Sequence, residues 1–265
     1  MIRFENVSIS FGSFRALDHV SLEISSGEFV GLIGPNGSGK STLIRLINGL
    51  LLPSEGKVIV DGLDTAKDDL FEIRKRAAAL FQNPDNQIVA ATVEDEVAFG
   101  PENLMLHPEE IRRRVEDALN FVDMLHFKDR LTANLSGGQK QRVAFASVIA
   151  MESPVYLFDE PTSLIDLQGR KKIIEIIGKL HKKEKTILLV SHFLEEIFLA
   201  PRVIVLHEGS VVFDGSPRTL LYRDDVLKLL DFPLPVHLET ARHFGLVPEI
   251  LDLKNVAQAL RRKLQ

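Results

Sequence analysis

The run Gly34-Pro35-Asn36-Gly37-Ser38-Gly39-Lys40-Ser41-Thr42 constrains this chain more than any other stretch, because it fits the spacing of a phosphate-binding P-loop. Its glycines let the backbone turn tightly and aim N–H groups inward, where they can cradle the oxygens of a polyphosphate. Lys40 adds a point charge, and Ser41 is placed to offer its hydroxyl to a magnesium ion riding on the phosphates. The flanks agree. Phe29-Val30-Gly31-Leu32-Ile33 reads as a buried strand and Thr42 to Ile47 has helical spacing, so strand, loop and helix N-terminus follow in order. A Gly-rich turn without a ligand is the competing reading, and these flanks argue against it.

At 265 residues the chain can bury a sizeable core and suits one large domain, or one domain with a satellite. A net charge of −5, with no domain-wide basic excess, argues against nucleic acid as a partner. There is no cysteine, which excludes disulfides and cysteine-ligated metal sites. Met1-Ile2-Arg3-Phe4-Glu5 lacks the apolar run of a signal peptide, and no stretch approaches the ~20 apolar residues that span a bilayer. Any membrane role is expected to come through a partner.

Residues 2 to 33 alternate with period two, through Ile2, Phe4, Val7, Ile9, Val20, Leu22 and Ile24, and read as half-buried strands broken at Gly12-Ser13 and Ser25-Ser26-Gly27. Phe11 sits just before the first turn, where its ring could lie on a base or simply pack in the core. Lys57 to Val60 reads as a strand closed by the Asp61-Gly62 turn, residues 68 to 76 as a helix, and Ala77 to Gln82 as a further strand whose exit leads into Asn83-Pro84-Asp85-Asn86-Gln87.

From Thr92 the texture becomes helical. Thr92 and Asp95 have the spacing of a capping box, and Val93, Val97, Ile111, Val115, Leu119 and Val122 repeat as one helical face. This helical insertion, about residues 83–150, contains Leu135-Ser136-Gly137-Gly138-Gln139 at the start of an apolar helix. That start can be read as a simple cap or as a second anion-binding N-terminus. Val155 to Phe158 is then an apolar strand ending in Asp159-Glu160, the Walker B pattern that complements a P-loop. Adjacent acids point in different directions, so one can face a metal and the other a water. Leu167 to Lys183 is an amphipathic helix. Thr186 to Val190 is a buried strand that delivers Ser191-His192 to its carboxyl end, the edge where open α/β sheets bind ligands. A hairpin follows around Glu208-Gly209, and residues 231–265, opening with Pro233 and Pro235, read as a linker into a small helical tail.

Taken together, these motifs resemble an ABC-type ATPase subunit over about residues 2 to 225: the P-loop at 34 to 42, a Q-loop Gln82, the signature Leu135 to Gln139, Walker B ending at Asp159, Glu160, a D-loop ending at Asp166 and a switch His192. Phe81 to Gln87 together with Val97-Ala98-Phe99-Gly100-Pro101-Glu102-Asn103 looks like the ATPases of energy-coupling factor transporters, which import vitamins or metal ions. The resemblance implies an α/β fold with a P-loop NTPase core, an antiparallel β subdomain, the helical insertion and a small C-terminal helical extension. It divides the chain into an ATPase domain over 1–230 and an extension over 231–265 that helps two ATPases to pair.

The implied ligands are ATP and Mg2+. Asn36, Gly37, Ser38, Gly39, Lys40, Ser41 and Thr42 would hold the phosphates, with Lys40 on the β- and γ-phosphates and Phe11 stacked on adenine. Ser41 and Gln82 would reach magnesium directly and Asp159 through water. Glu160 would act as general base, His192 would contact the γ-phosphate, and Asp166 would join two sites across an interface. The resemblance further implies a head-to-tail pair, in which Ser136, Gly137, Gly138 and Gln139 of one chain close over the ATP held by another.

A heterodimer with a paralogue is expected over a homodimer. A transmembrane scaffold would dock near Gln82 to Gln87, a membrane subunit would capture substrate, and the chain would sit peripherally on the cytoplasmic face of the cell membrane. Leu164 in the D-loop, Phe11 in place of a tyrosine, and Pro201 depart from the family pattern; none removes a catalytic group. The alternatives are the ATPase of another ABC importer and a soluble ABC ATPase without a transport role. The latter usually needs a coiled-coil insertion or a second cassette, and this sequence has neither. A P-loop kinase would have no place for Gln82 or for the signature.

Overall fold

In the computed structural model, which describes residues 1–230, 233–246 and 253–264, the alternating N-terminal segment forms an antiparallel hairpin of β1 (Ile2–Phe11) and β2 (Phe14–Ile24). The apolar positions of β1 change parity, from Ile2 and Phe4 to Val7 and Ile9, and all four are nonetheless buried. A register shift between Phe4 and Val7, with Asn6 at φ +51°, supplies the extra residue that returns Val7 to the core face.

The chain then passes through β3 (Phe29–Ile33) and α1 (Lys40–Ile47), and β4 (Glu55–Val60) comes back to pair with β1. The two-residue β5 (Leu63–Asp64) completes a four-stranded sheet in the order β2-β1-β4-β5. β5 is too short to show alternation, so the sequence carries no sign of it.

Next come α2 (Leu70–Arg76), capped by Asp69, and β6 (Ala77–Leu80). β6 ends two residues before the expected Gln82 because the Phe81 N–H is taken by Gln87 Oε1 at 3.1 Å and leaves the ladder. The helices α3 (Val93–Asn103), α4 (Pro108–Phe121) and α5 (Gly137–Ala150) pack on one another before β7 (Val155–Asp159) lies down beside β6. The whole insertion is therefore the crossover between two neighbouring parallel strands. Thr92 caps α3 through the Asp95 N–H. The reciprocal half of the expected box is absent, because the Asp95 carboxylate accepts the Thr92 hydroxyl instead, at 2.6 Å.

The remaining elements are α6 (Leu167–His181), β8 (Thr186–Val190), α7 (Leu194–Ile197), β9 (Arg202–His207), β10 (Ser210–Gly215), α8 (Pro217–Leu221), α9 (Asp224–Leu227), α10 (Val236–His243) and α11 (Leu253–Leu264). The second sheet runs β10-β9-β3-β8-β7-β6, parallel except at β10. Its central strands β3, β7 and β8 are buried on both faces, and period two divides them. Val30, Leu32, Leu157, Leu188 and Val190 pack with the first sheet and α1, while Phe29, Ile33, Tyr156, Phe158, Ile187 and Leu189 pack with the helical layer. From the tail, Leu238, Ala241, Leu246 and Val256 join that second core. Of the expected extension over 231–265, residues 231–232, 247–252 and 265 lie outside the described residues.

Because β3, β6, β7 and β8 are parallel, the segments that follow them all emerge at one edge. Those segments are the P-loop, Gln82, Asp159-Glu160 and Ser191-His192.

Candidate active site

The P-loop is held by its own geometry. Gly39 precedes α1 at φ +105°, and a Cβ there would lie 2.6 Å from the Ala16 carbonyl oxygen and 2.6 Å from Leu17 Cδ2, so only glycine fits. α1 starts without a side-chain cap and without an acid in its first turn. Its leading N–H groups and the positive end of its dipole are thus left for an anion. Lys40 Nζ donates to the Gly34 and Pro35 carbonyls at 2.8 and 2.9 Å, which folds the lysine back along the loop. Burial pushes its ammonium below the ordinary lysine range, against the opposing influence of Glu160 and Asp159.

A cavity of about 500 Å³ opens over this loop. Asn36, Gly37, Gly39, Lys40, Ser41 and Thr42 form its floor, and Gln82, Glu160 and His192 close one side. Glu160 is held from two directions: Gln82 Nε2 donates to Oε2 at 2.6 Å, and His192 Nε2 lies 2.5 Å from Oε1. The backbone of Glu160 is at φ +50°, a left-handed conformation uncommon for a residue with a side chain. Its N–H donates to the Val190 carbonyl at 3.0 Å, tying the end of β7 to the end of β8.

Two expected residues lie beneath this floor. Ser38 is 2 % exposed and its Oγ has no partner. Asp159 is 4 % exposed, and its Oδ1 is likewise without a partner. Burial raises the Asp159 carboxyl above the usual carboxylate range; a hydrogen bond with Ser41 opposes the shift and the Glu160 charge adds to it. An orphaned buried carboxylate oxygen on an acid hydrogen-bonded to the Ser41 hydroxyl offers hard oxygen donors, which suit Mg2+. Among the described residues no group of three or more His, Cys, Asp or Glu could hold a metal. An ion here would therefore complete its shell with phosphate oxygens and water.

Phe11 lies at the mouth of the cavity, 49 % exposed, and Phe14, 57 % exposed, lines it too. Phe14 is absent from the residues expected on sequence grounds. The signal was available, since Phe11 and Phe14 bracket the two-residue Gly12-Ser13 turn and are cross-strand partners, which places both rings on one face.

Other expected residues stand apart within one chain. Among the described residues, the cavity lining includes none of Ser136 to Gln139, nor Asp166. Ser136 and Gln139 form a capping box at the start of α5: Ser136 Oγ accepts from the Gln139 N–H at 3.4 Å, and Gln139 Oε1 accepts from the Ser136 N–H at 2.9 Å. Asp166 caps α6 by accepting from the Gly169 N–H at 2.7 Å. Asp85 Oδ1 accepts from Lys140 Nζ at 2.6 Å, linking the exit of the Gln82 loop to the first turn of α5.

This arrangement can hold a polyphosphate on α1 and present a carboxylate, itself oriented by an amide and an imidazole, to a water beyond it.

The chain is similar to known proteins over most of its length. The family model described as ABC transporter matches residues 17–163. The energy-coupling factor transporter ATP-binding protein EcfA1 of Caldanaerobacter subterraneus subsp. tengcongensis is 49% identical over 249 residues, covering 91% of this chain and 90% of the relative. EcfA1 of Clostridioides difficile is 44% identical over 245 residues, covering 90% and 88%. Among solved structures, cbiO1 from Clostridium perfringens, part of the ABC transporter complex cbiONQ, superposes with a TM-score of 0.77 at 33% identity, over 91% of this chain and 98% of that one. The cassette MJ0796, a dimer in a post-hydrolysis state bound to ADP and Pi, gives 0.73 at 32% identity, over 82% and 99%.

Proposed function

The chain belongs to the ABC transporter family, among the energy-coupling factor transporter ATP-binding proteins, and from that premise we propose that it energises a membrane importer of vitamins or transition-metal ions by hydrolysing ATP. One observation carries the reading: an uncapped helix start, Lys40, Gln82, Glu160 and His192 meet on a single cavity.

In this reading α1 and Lys40 take the β- and γ-phosphates, and Phe11, with Phe14 beside it, offers a flat face to the base. Ser41, Gln82 and Asp159 would hold Mg2+, which when bound neutralises phosphate charge and polarises the terminal phosphoryl group. Glu160 accepts the proton of the attacking water. Each of its carboxylate oxygens has a second lone pair, so a water can be accepted while Gln82 and His192 keep their places. The site is completed by the segment matching Ser136 to Gln139 in a second ATPase, a paralogue in preference to a copy of this chain, arranged head to tail, with Asp166 at the junction.

The membrane scaffold is assigned to the surface around Gln82 to Gln87. Exposed Val89 follows this segment closely, and exposed Phe99 and Met105 line a groove with Ala79 of β6, the strand that leads into it; together they supply apolar area for docking. Among the described residues no helix is long and apolar enough to cross a membrane, so the proposed place of this subunit is peripheral, on the cytoplasmic face, with a separate membrane subunit capturing the cargo.

Replacing Glu160 by Gln tests the chemistry. ATP binding is expected to persist while turnover in the assembled transporter falls about 10²- to 10⁴-fold. Near-normal hydrolysis by Glu160→Gln removes Glu160 from the role of base.

A further inference from the structure

Outside the lining of the cavity lies a buried acid that the hydrolytic reading does not use. Glu196 is 3 % exposed and sits on α7. One carboxylate oxygen, Oε2, accepts from two hydroxyls: Ser191 Oγ at 2.7 Å and Thr162 Oγ1 at 2.8 Å. Ser191 immediately precedes His192, and Thr162 follows Glu160 by two residues. The Ser191 Oγ also accepts from the Phe193 N–H at 3.0 Å, so the turn carrying His192 is pinned on both sides of the imidazole. The other oxygen, Oε1, makes no hydrogen bond and faces Arg170 Nε at 3.5 Å. The Arg170 guanidinium in turn lies 3.4 Å from the Phe193 ring centroid. Arg170 belongs to the first turn of α6, the helix capped by Asp166.

A carboxylate buried this way is a poor choice for stability alone. Burial raises the Glu196 carboxyl above its ordinary range, and the hydrogen bonds from Ser191 and Thr162 and the Arg170 charge offset this only in part. Well-packed apolar side chains in place of a buried charged network are often as stable or more so. What such a replacement would lose is a fixed relation between the two turns, whose side chains meet at 2.5 Å as His192 and Glu160.

We propose that Glu196 is a positioning residue for hydrolysis: by holding Thr162 and Ser191 on one oxygen it fixes His192 against Glu160, and Arg170 ties this pair to the helix that carries Asp166. The proposal rests on the hydrolytic reading of Glu160 and His192. It extends that reading to a carboxylate outside the cavity lining.

The test uses the purified transporter complex and separates positioning from folding. Glu196→Ala is expected to lower kcat by about 10- to 10²-fold, with KM for ATP within about threefold of wild type. Glu196→Gln, whose amide oxygen can still accept both hydroxyls, is expected to keep kcat within about threefold. In a His192→Ala background, Glu196→Ala is expected to cost less than about twofold more, because the two act as one unit.

Wild-type kcat in Glu196→Ala overturns the proposal, and so does a loss that simply multiplies with that of His192→Ala. If Glu196→Ala does not fold, Ser191→Ala and Thr162→Val each remove one hydroxyl and leave the carboxylate; wild-type kcat in both overturns it equally. Failure of the underlying reading has a different signature, namely wild-type turnover in Glu160→Gln or in His192→Ala.

Discussion

A few single residues decide whether this chain can hold a nucleotide at all, and Gly39 is the most constrained of them. Its φ of +105° and the Ala16 carbonyl oxygen, 2.6 Å from where a methyl group would sit, leave no room for a side chain, and backbone cannot yield as a flexible side chain can. Gly39→Ala is therefore expected to destabilise the ligand-free protein by about 2 kcal/mol or more and to weaken ATP binding. Thermal denaturation with and without nucleotide measures both, and an unchanged midpoint in the two conditions contradicts the packing argument. Residues at this scale are largely legible in the sequence, because phosphate chemistry demands fixed residue types at fixed spacings: Lys40, Gln82, Glu160 and His192 are all expected and all reach one cavity. Glu196 is not legible. A glutamate following another glutamate on a four-residue helix reads as solvated surface, and only the tertiary approach of Thr162 and Ser191 turns it inward.

Among the elements, the segment from Phe81 to Gln87 shows how side chains can end a strand. Gln87 takes the Phe81 N–H on Oε1 and returns its own amide to the Ala79 carbonyl at 3.0 Å, so one residue both stops β6 and folds the following turn back on it. Pattern alone predicts a strand end and a turn here but runs the strand through Gln82, because periodicity carries no information about a side chain that competes for the ladder. The Asp85–Lys140 pair joins this turn to α5. With the Asp85 side chain 62% exposed, the pair contributes less than about 1 kcal/mol to stability. Asp85→Lys should thus leave the folded cassette intact while placing like charges between the docking turn and α5. The expected outcome is reduced co-purification with the membrane scaffold and reduced transport. Intact co-purification and transport would remove Asp85 from the docking surface.

For the molecule as a whole, the cavity is one-sided. Lys40, Glu160 and His192 line it, whereas Ser136 to Gln139 cap a helix elsewhere and the start of α5 is closed by its own side chains. On the proposed head-to-tail pairing, a second subunit covers the nucleotide. In the hydrolysis-slow Glu160→Gln background, ATP is expected to drive association of this chain with its partner ATPase, and Ser136→Arg in this chain, whose signature would cover the partner's nucleotide, is expected to weaken it. Analytical ultracentrifugation of the paired ATPases with and without ATP measures this; equal association in the two conditions, or no effect of Ser136→Arg, contradicts the head-to-tail arrangement. The division into two sheets and a helical crossover can be anticipated from period changes along the chain. The docking of the tail onto the second core cannot, because Leu238, Ala241 and Val256 carry no sequence mark of which surface they meet.

The folded-back Lys40 has a kinetic consequence. Its ammonium is already seated on the Gly34 and Pro35 carbonyls, so an arriving nucleotide finds a finished cradle and loses little affinity to ordering the loop. Loading is then expected to be fast, and on the proposed pairing the encounter of two protein surfaces is expected to be the slower event.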